Sequence, residues 1–251
     1  NSALHGRGWS IVATILMKLK HRKEIANGTM AFLLEKPEGF DFKPGQAMEV
    51  KLNNPPETDA EGNARAFSIA SAPFEKHVMF ATRMRDTAMK RSLKAIPIGT
   101  EFEVDGPWGD LKLHTRTERP AVLIAGGIGI TPFRSMVLDA TIRKSPHKIW
   151  LFYSNRRPED TAFMEDLERA EKENPNFKLI ATMTEMEKST RPWHGRKGVL
   201  TKEVLQETIG DLSAPIFYQA GPPGMLHAMR DVLLAAGVNE DDIRAEEFAG
   251  Y

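Results

Sequence analysis

PAVLIAGGIGITP, residues 120–132, is the stretch on which the fold turns. Ala121 to Ala125 run apolar without alternation, as in a strand buried on both faces of a sheet. Gly126, Gly127 and Gly129 then let the backbone turn sharply and approach a phosphate closely. Thr131-Pro132 opens a helix, because proline at a first turn wastes no hydrogen bond. Free amides at such a helix start face negative oxygens. Pro132 stands where the usual glycine fingerprint ends, so a tight turn without a ligand is the alternative.

Downstream the same rhythm repeats. Helices are expected over 133–143, 161–172, 201–209 and 225–236, and strands over 148–153, 177–182, 216–219 and 243–247. Alternation of this kind builds a parallel sheet with helices on both faces and a ligand crevice beyond the carboxyl ends of its strands. A second turn, Gly221-Pro222-Pro223-Gly224-Met225, follows the strand at 216. Two such turns in one sheet are placed to clasp one extended dinucleotide. Ser154, Asn155, Arg156 and Arg157 follow the strand at 148, where an adenosine ribose is expected. No carboxylate stands there for a ribose hydroxyl, and the arginines suit a 2′-phosphate. Arg196 is placed to close over the same group. This favours NADPH without excluding NADH; arginines that merely face solvent are the alternative.

Upstream the period changes. Short strands are expected over 10–18, 29–34, 47–52, 65–70, 77–82 and 101–105, separated by breakers such as Pro44-Gly45 and Ser71-Ala72-Pro73. One helix is expected over 87–95. Strands this short and numerous close into a small barrel, which removes exposed edges. The fold class is thus an all-β barrel domain over 9–114 followed by an α/β parallel-sheet nucleotide-binding domain over 120–251. Within the barrel, Arg65 is placed to bind a phosphate, and Phe67 and Ser68 point to opposite faces of their strand. A solvent ion pair for Arg65 and a core position for Phe67 stay open. Residues 53–63 read as a polar surface loop, with a lid over an adenine as the alternative. The basic run KLKHRK (18–23) reads as a solvated turn.

Composition narrows the function classes. The 34 basic and 34 acidic side chains cancel, which gives no electrostatic reason to bind nucleic acid. With no cysteine, the chain holds no cysteine-ligated iron–sulfur cluster, so a one-electron partner of that type is a separate molecule. The apolar run 11–19 is too short to span a bilayer and is broken by Lys18, and it lacks signal-peptide order; a cytoplasmic location is expected. The scattered histidines form no HExxH arrangement, and no metal site is expected.

Six segments, RAFSIAS (65–71), GPWGDL (106–111), AGGIGITP (125–132), LFYSNR (151–156), AGPPGM (220–225) and EEFAGY (246–251), occur in the order and spacing of the ferredoxin-NADP+ reductase family. The resemblance covers residues 9–251 and rests on the ordered set. It implies a flavin oxidoreductase that takes a hydride from NADPH or NADH and passes electrons through FAD to an external carrier: ferredoxin, flavodoxin or the iron–sulfur component of an oxygenase. A flavin reductase acting directly on small acceptors, and a non-catalytic flavin-binding regulatory subunit, are the rival classes.

By the resemblance, Arg65 holds the flavin phosphate, Phe67 contacts the ring or ribityl chain where relatives have tyrosine, and Ser68 bonds near flavin N5, with Ile69 and Ala70 continuing the cofactor-binding segment. Thr87 and Lys90 stand where relatives receive the second phosphate of FAD, so FAD is favoured over FMN. Gly126, Gly127, Gly129 and Thr131 form the nicotinamide-dinucleotide pyrophosphate turn. Gly221 and Met225 form the second cofactor turn, where Ala220 replaces a common cysteine. Glu247, Phe248 and Tyr251 flank the ring, and Glu247 assists the reaction with Ser68.

Overall fold

The computed structural model describes residues 14–248. Its first half contains β1 (Ile15–Ala26), β2 (Thr29–Glu35), β3 (Ala47–Leu52), β4 (Ala64–Ser68), β5 (His77–Arg83), α1 (Ala88–Ala95) and β6 (Glu101–Trp108). The strands form one antiparallel sheet in the order β4-β3-β6-β1-β2-β5. It curls until its two edges meet: the Ala70 N–H donates to the Met79 carbonyl at 2.7 Å, and the Met79 N–H to Ser71 Oγ at 2.9 Å. Phe32, Phe80 and Phe102 fill the interior.

The run 18–23 lies inside β1 rather than in a turn. Lys18 and Lys20 point to solvent on either side of the buried Leu19, which is the period of a strand. Arg22 is held by the Leu93 carbonyl at 3.3 Å. Pairing with β2 from Leu19 to Ala26 outweighs the local charge.

The second half contains β7 (Ala121–Gly126), α2 (Ile130–Ile142), β8 (Ile149–Asn155), α3 (Met164–Glu173), β9 (Phe177–Met183), β10 (Arg196–Lys197), α4 (Lys202–Ile209), β11 (Ile216–Gly221), α5 (Pro223–Ala235) and β12 (Ile243–Glu247). All six strands are parallel, in the order β10-β9-β8-β7-β11-β12. The chain winds outward from β7 through β8 and β9, then returns to place β11 on the other side of β7. The crevice expected at such a reversal lies between the ends of β7 and β11, where the two glycine turns stand. Helix α2 begins three residues before the expected position because Gly127–Gly129 form a 3-10 turn that runs straight into it. The sheet is packed on both faces, Leu123 and Tyr153 on one side and Ile124, Phe152 and Phe217 on the other. Among the described residues, no helix is long and apolar enough to cross a membrane.

The halves are clasped at Arg134 of α2. Its guanidinium donates to the Ala70 carbonyl at 2.8 Å, to Glu75 at 2.8 and 3.0 Å and to Asp166 at 2.8 Å, and it lies 5.0 Å from the Phe163 ring centroid. The neighbouring Ser135 hydroxyl donates to the Ser71 carbonyl at 2.8 Å. The clasp fixes the residues that follow β4 against the helix that follows the first glycine turn.

Candidate active site

A cavity of about 500 Å³ opens between the halves, within the range of ligand sites in general. Arg65, Phe67 and Ser68 of β4, Thr87 and Lys90 at the start of α1, Ile128 of the glycine turn, Thr131 of α2, and Glu246, Glu247 and Phe248 at the end of the last strand line it. The sequence scatters these residues over most of the chain, and the domain clasp brings them to one mouth.

Ser68 is buried, and its Oγ donates to Glu246 Oε1 at 3.1 Å. Burial is the largest influence on Glu246 and raises its carboxyl above the ordinary range; the Ser68 bond opposes that rise. The carboxylate facing Ser68 is therefore Glu246 rather than Glu247. Successive residues of β12 point to opposite faces, so Glu247 reaches only the rim and pairs with His227 at 3.2 Å. Phe248 donates its N–H to the Gly221 carbonyl at 3.1 Å and packs against the parallel-sheet core. Tyr251 lies outside the described residues.

Phe67 stacks on Phe80 with centroids 4.5 Å apart and planes 23° from parallel. The Lys90 ammonium stands 5.2 Å from the Phe67 centroid and bonds the Thr82 hydroxyl. Burial, and then the neighbouring charges of Arg65 and Arg85, push the Lys90 amine down to about 8. Thr87 caps α1, its hydroxyl accepting from the Lys90 N–H at 3.4 Å. The Ala88 N–H at the same helix start donates to Asp59 at 3.1 Å. Arg65 donates to the Glu61 carboxylate at 2.6 Å and to the Glu61 and Ala64 carbonyls at 2.7 Å. The loop over 53–63 thus reaches across the cavity wall, and its acids sit on the groups that attract anions. Ile69 and Ala70 do not line the cavity. Both are fully buried, and their amides are taken by Gln46 and Met79.

A second cavity, about 150 Å³, lies at the strand ends of the parallel sheet and is lined by Gly126, Gly127, Ser154, Arg156 and Met225. Arg83 and Ile128 line both cavities, so they meet at two side chains. Gly127 takes a φ of +50°, which favours glycine. Gly129 and Gly221 answer a different demand and line neither cavity. A Cβ on Gly129 would lie 2.1 Å from the Ala220 carbonyl oxygen, and one on Gly221 would lie 3.1 Å from the Gly126 backbone. The two turns are pressed together, and the glycines permit it. Thr131 is buried, donates to the Ile128 carbonyl at 3.1 Å and faces the larger cavity. Arg196 is absent from the cavity walls: it pairs with Glu207 at 2.7 Å on the edge strand β10. Arg157 is likewise bound to Asp160 through two bonds of 2.8 Å.

The larger cavity suits an extended anionic cofactor with a flat ring. Arg65, Arg83, Arg85 and Lys90 supply positive charge, Phe67 and Phe248 supply aromatic faces, and Ser68 supplies a polar atom. The smaller one offers glycine amides at a helix start beside arginine, which suits a pyrophosphate. Neither Arg134 nor Glu246 follows from a local motif. Strand alternation along β12, which turns Glu246 and Glu247 to opposite faces, is the one signal that separates them.

Residues 123–231 match the oxidoreductase NAD-binding domain family. The chain is 27% identical over 223 residues to the glycine betaine monooxygenase reductase subunit of Chromohalobacter salexigens, covering 88% of this chain and 60% of that protein. It is 28% identical over 230 residues to the 2-halobenzoate 1,2-dioxygenase electron transfer component of Burkholderia cepacia, covering 89% and 64%. The chain thus spans less than two thirds of the length of these relatives. In fold it resembles a ferredoxin NADP+ reductase from Neisseria gonorrhoeae solved with bound FAD and NADP, at a TM-score of 0.76 and 22% identity, covering 93% of this chain and 98% of that one.

Proposed function

This chain belongs to the ferredoxin-NADP+ reductase-like family of FAD- and NAD(P)H-dependent oxidoreductases, and we propose on that premise that it takes a hydride from NADPH or NADH and passes the electrons to a separate carrier. Bound FAD supplies the two-electron acceptor and hands the electrons on singly. The carrier is a ferredoxin, a flavodoxin or the iron–sulfur component of an oxygenase, in keeping with relatives named as a monooxygenase reductase subunit and a dioxygenase electron transfer component. These 251 residues hold no cysteine, so a cysteine-ligated cluster lies outside them. The cytoplasm, where reduced nicotinamide dinucleotides are held, is the location this reading implies.

One observation carries the proposal: the Ser68–Glu246 pair faces a cavity that touches the glycine-turn cavity at Arg83 and Ile128. Arg65 and Lys90 hold the cofactor's phosphates, Phe67 and Phe248 confine its ring, and Gly126 and Gly127 take the dinucleotide pyrophosphate. Ser68, oriented by Glu246, offers its hydroxyl to the reacting edge of the ring. Glu246 holds a proton beside it at a higher pH than an exposed carboxyl does. Hydride transfer depends on closeness and alignment, which these residues serve by position rather than by covalent chemistry.

The test is anaerobic mixing of the flavin-loaded protein with NADPH and with NADH while the flavin absorption is followed. Bleaching by at least one donor, and turnover that saturates with added ferredoxin or flavodoxin, are expected. A fully loaded protein that neither donor bleaches would end the proposal. Turnover of small acceptors with no response to a carrier would replace it with the direct-reductase reading.

A further inference from the structure

Besides the cavity it shares with Ser68, Glu246 walls an open groove together with Trp108, Asp110, Leu111, Arg244 and Ala245. Arg244 and Glu246 are two residues apart on β12, so they share a face with their backbones about 7 Å apart. An arginine side chain spans that distance, and an acid and a base on one groove wall would ordinarily pair. Here they do not: among the described residues Glu246 makes no ion pair, and its side chain bonds to Ser68. The guanidinium is held elsewhere. Arg244 Nη1 donates to the Lys112 carbonyl at 3.1 Å and to the Tyr218 hydroxyl at 3.2 Å, and the guanidinium lies 5.3 Å from the Tyr218 ring centroid.

The Tyr218 hydroxyl also accepts the His114 backbone N–H at 2.8 Å, which uses its second lone pair. Its own proton then goes to His114 Nδ1 at 2.9 Å, and Nε2 donates to the Arg119 carbonyl at 2.9 Å. Burial pushes the His114 ring below its ordinary value and keeps it the neutral acceptor that this pattern requires. Lys112 and His114 lie in the connection between β6 and β7, so the link between the two halves itself grips the arginine. We propose that Tyr218 and this connection tether Arg244 away from Glu246, leaving the carboxyl that faces Ser68 unpaired with any cation. Arg244, Tyr218 and His114 are thus positioning residues, and their purpose rests on the oxidoreductase reading above. The other charges around Glu246 are placed differently. Arg65 is on Glu61 and Lys90 on Thr82, while Arg83 and Arg85 line the Ser68 cavity from the end of β5. Glu247 turns to His227, and Asp110 pairs with Lys112 at 3.2 Å. Burial and the Ser68 bond are what act on Glu246, so a released Arg244 would be its first ion pair.

The test is titration of the Glu246 carboxyl by carbon-13 NMR in flavin-loaded protein labelled at glutamate, with Glu246→Gln identifying the signal. Arg244→Lys keeps the charge but loses the fork that spans the hydroxyl and the Lys112 carbonyl, and Tyr218→Phe removes the hydroxyl. Both should lower the titration midpoint of that carboxyl by about one pH unit or more, as an opposite charge in contact does. Arg244→Gln loses the tether and the charge together and should leave the midpoint where it is. Tyr218→Phe combined with Arg244→Gln should likewise return it to the unaltered value. The part of anaerobic flavin bleaching that Glu246→Gln abolishes should shift along the pH axis in the same order. A network that only supports the fold lowers stability in every variant and leaves the carboxyl unmoved; that result would overturn the tether, as would equal shifts in Arg244→Lys and Arg244→Gln. Those two variants differ at a single position, so they decide the matter even where Tyr218→Phe does not fold. The same carboxyl titrates in flavin-free protein. A chain that takes up no flavin would therefore sink the oxidoreductase reading while the lysine and glutamine comparison still judges the tether.

Discussion

Replacing Arg134 with methionine removes the clasp between the two halves while keeping an apolar stem against Phe163. The guanidinium is 7% exposed, and its two carboxylate partners, Glu75 and Asp166, are 27% and 23% exposed. Removing one member of a buried ion pair costs about 3–5 kcal/mol, since the remaining charge is left in a poor solvent. Here water can reach part of both carboxylates, which points to the lower end, about 3 kcal/mol. The fully buried Ala70 carbonyl also loses the donor from Arg134, adding about 1 kcal/mol. The sum, about 4 kcal/mol, corresponds to a melting temperature roughly 8–16 °C lower for a chain of this size.

Thermal and urea unfolding of flavin-loaded Arg134→Met, beside the unaltered protein, measures that loss. Adding Glu75→Gln and Asp166→Asn should recover part of it, because the stranded charges are then gone. Flavin bleaching by NAD(P)H should slow as well, since Ala70 is two residues beyond Ser68 while Arg134 sits in the helix that starts at the nucleotide turn. A loss below about 1 kcal/mol, or no recovery in the triple variant, would refute the claim that this cation joins the halves.

Ser68→Ala should slow anaerobic flavin bleaching by about 10- to 100-fold with flavin content unchanged; an unaltered rate would remove Ser68 from the reacting edge. Burial keeps the Glu246 proton in the folded state at a pH where the unfolded chain has released it. Stability should therefore decline as pH rises from 4.5 through the raised value, and urea midpoints of Glu246→Gln should show a shallower decline over that window. Lys90 titrates at about 8 when folded against 10.5 unfolded, so its charge is lost as pH rises past about 8. Flavin affinity measured by fluorescence should fall there, and Lys90→Met should flatten the fall; in the protein without flavin, the unpaired amine makes stability rise between about 8 and 10.5. Gly129→Ala forces a Cβ to within 2.1 Å of the Ala220 carbonyl, so calorimetry should show dinucleotide binding lost or weakened by more than about tenfold, with lower stability; a variant that binds normally would deny that the two turns are locked together.

The residues that announce themselves in sequence do so through the backbone. Apolar Ala121–Ala125 before a glycine turn admits few conformations, and the Ala47–Leu52 and Ile243–Glu247 strands fall where alternation puts them. Side-chain partnerships across the fold are another matter. Arg134 meets a carboxylate 59 residues earlier and another 32 later, and nothing local specifies either. Glu246 and Glu247 differ by one position, but one position in a strand reverses the face, and the resemblance to a family does not fix that parity. Arg196 sits near the expected ribose in sequence logic, yet the short edge strand β10 turns it to Glu207. Ile69 and Ala70 continue an apolar motif that the fold spends on its core.

The loop over 53–63 ties these observations together. Asp59 accepts from the first amide of α1, Glu61 occupies the guanidinium of Arg65, and Glu57 pairs with Arg91 at 2.7 Å. Carboxylates of the chain thus stand on the amide and guanidinium groups that a cofactor phosphate would otherwise engage, which lets a strongly basic wall fold without mutual repulsion. The loop is exposed and polar, so a phosphate group can exchange with these acids at little cost in burial.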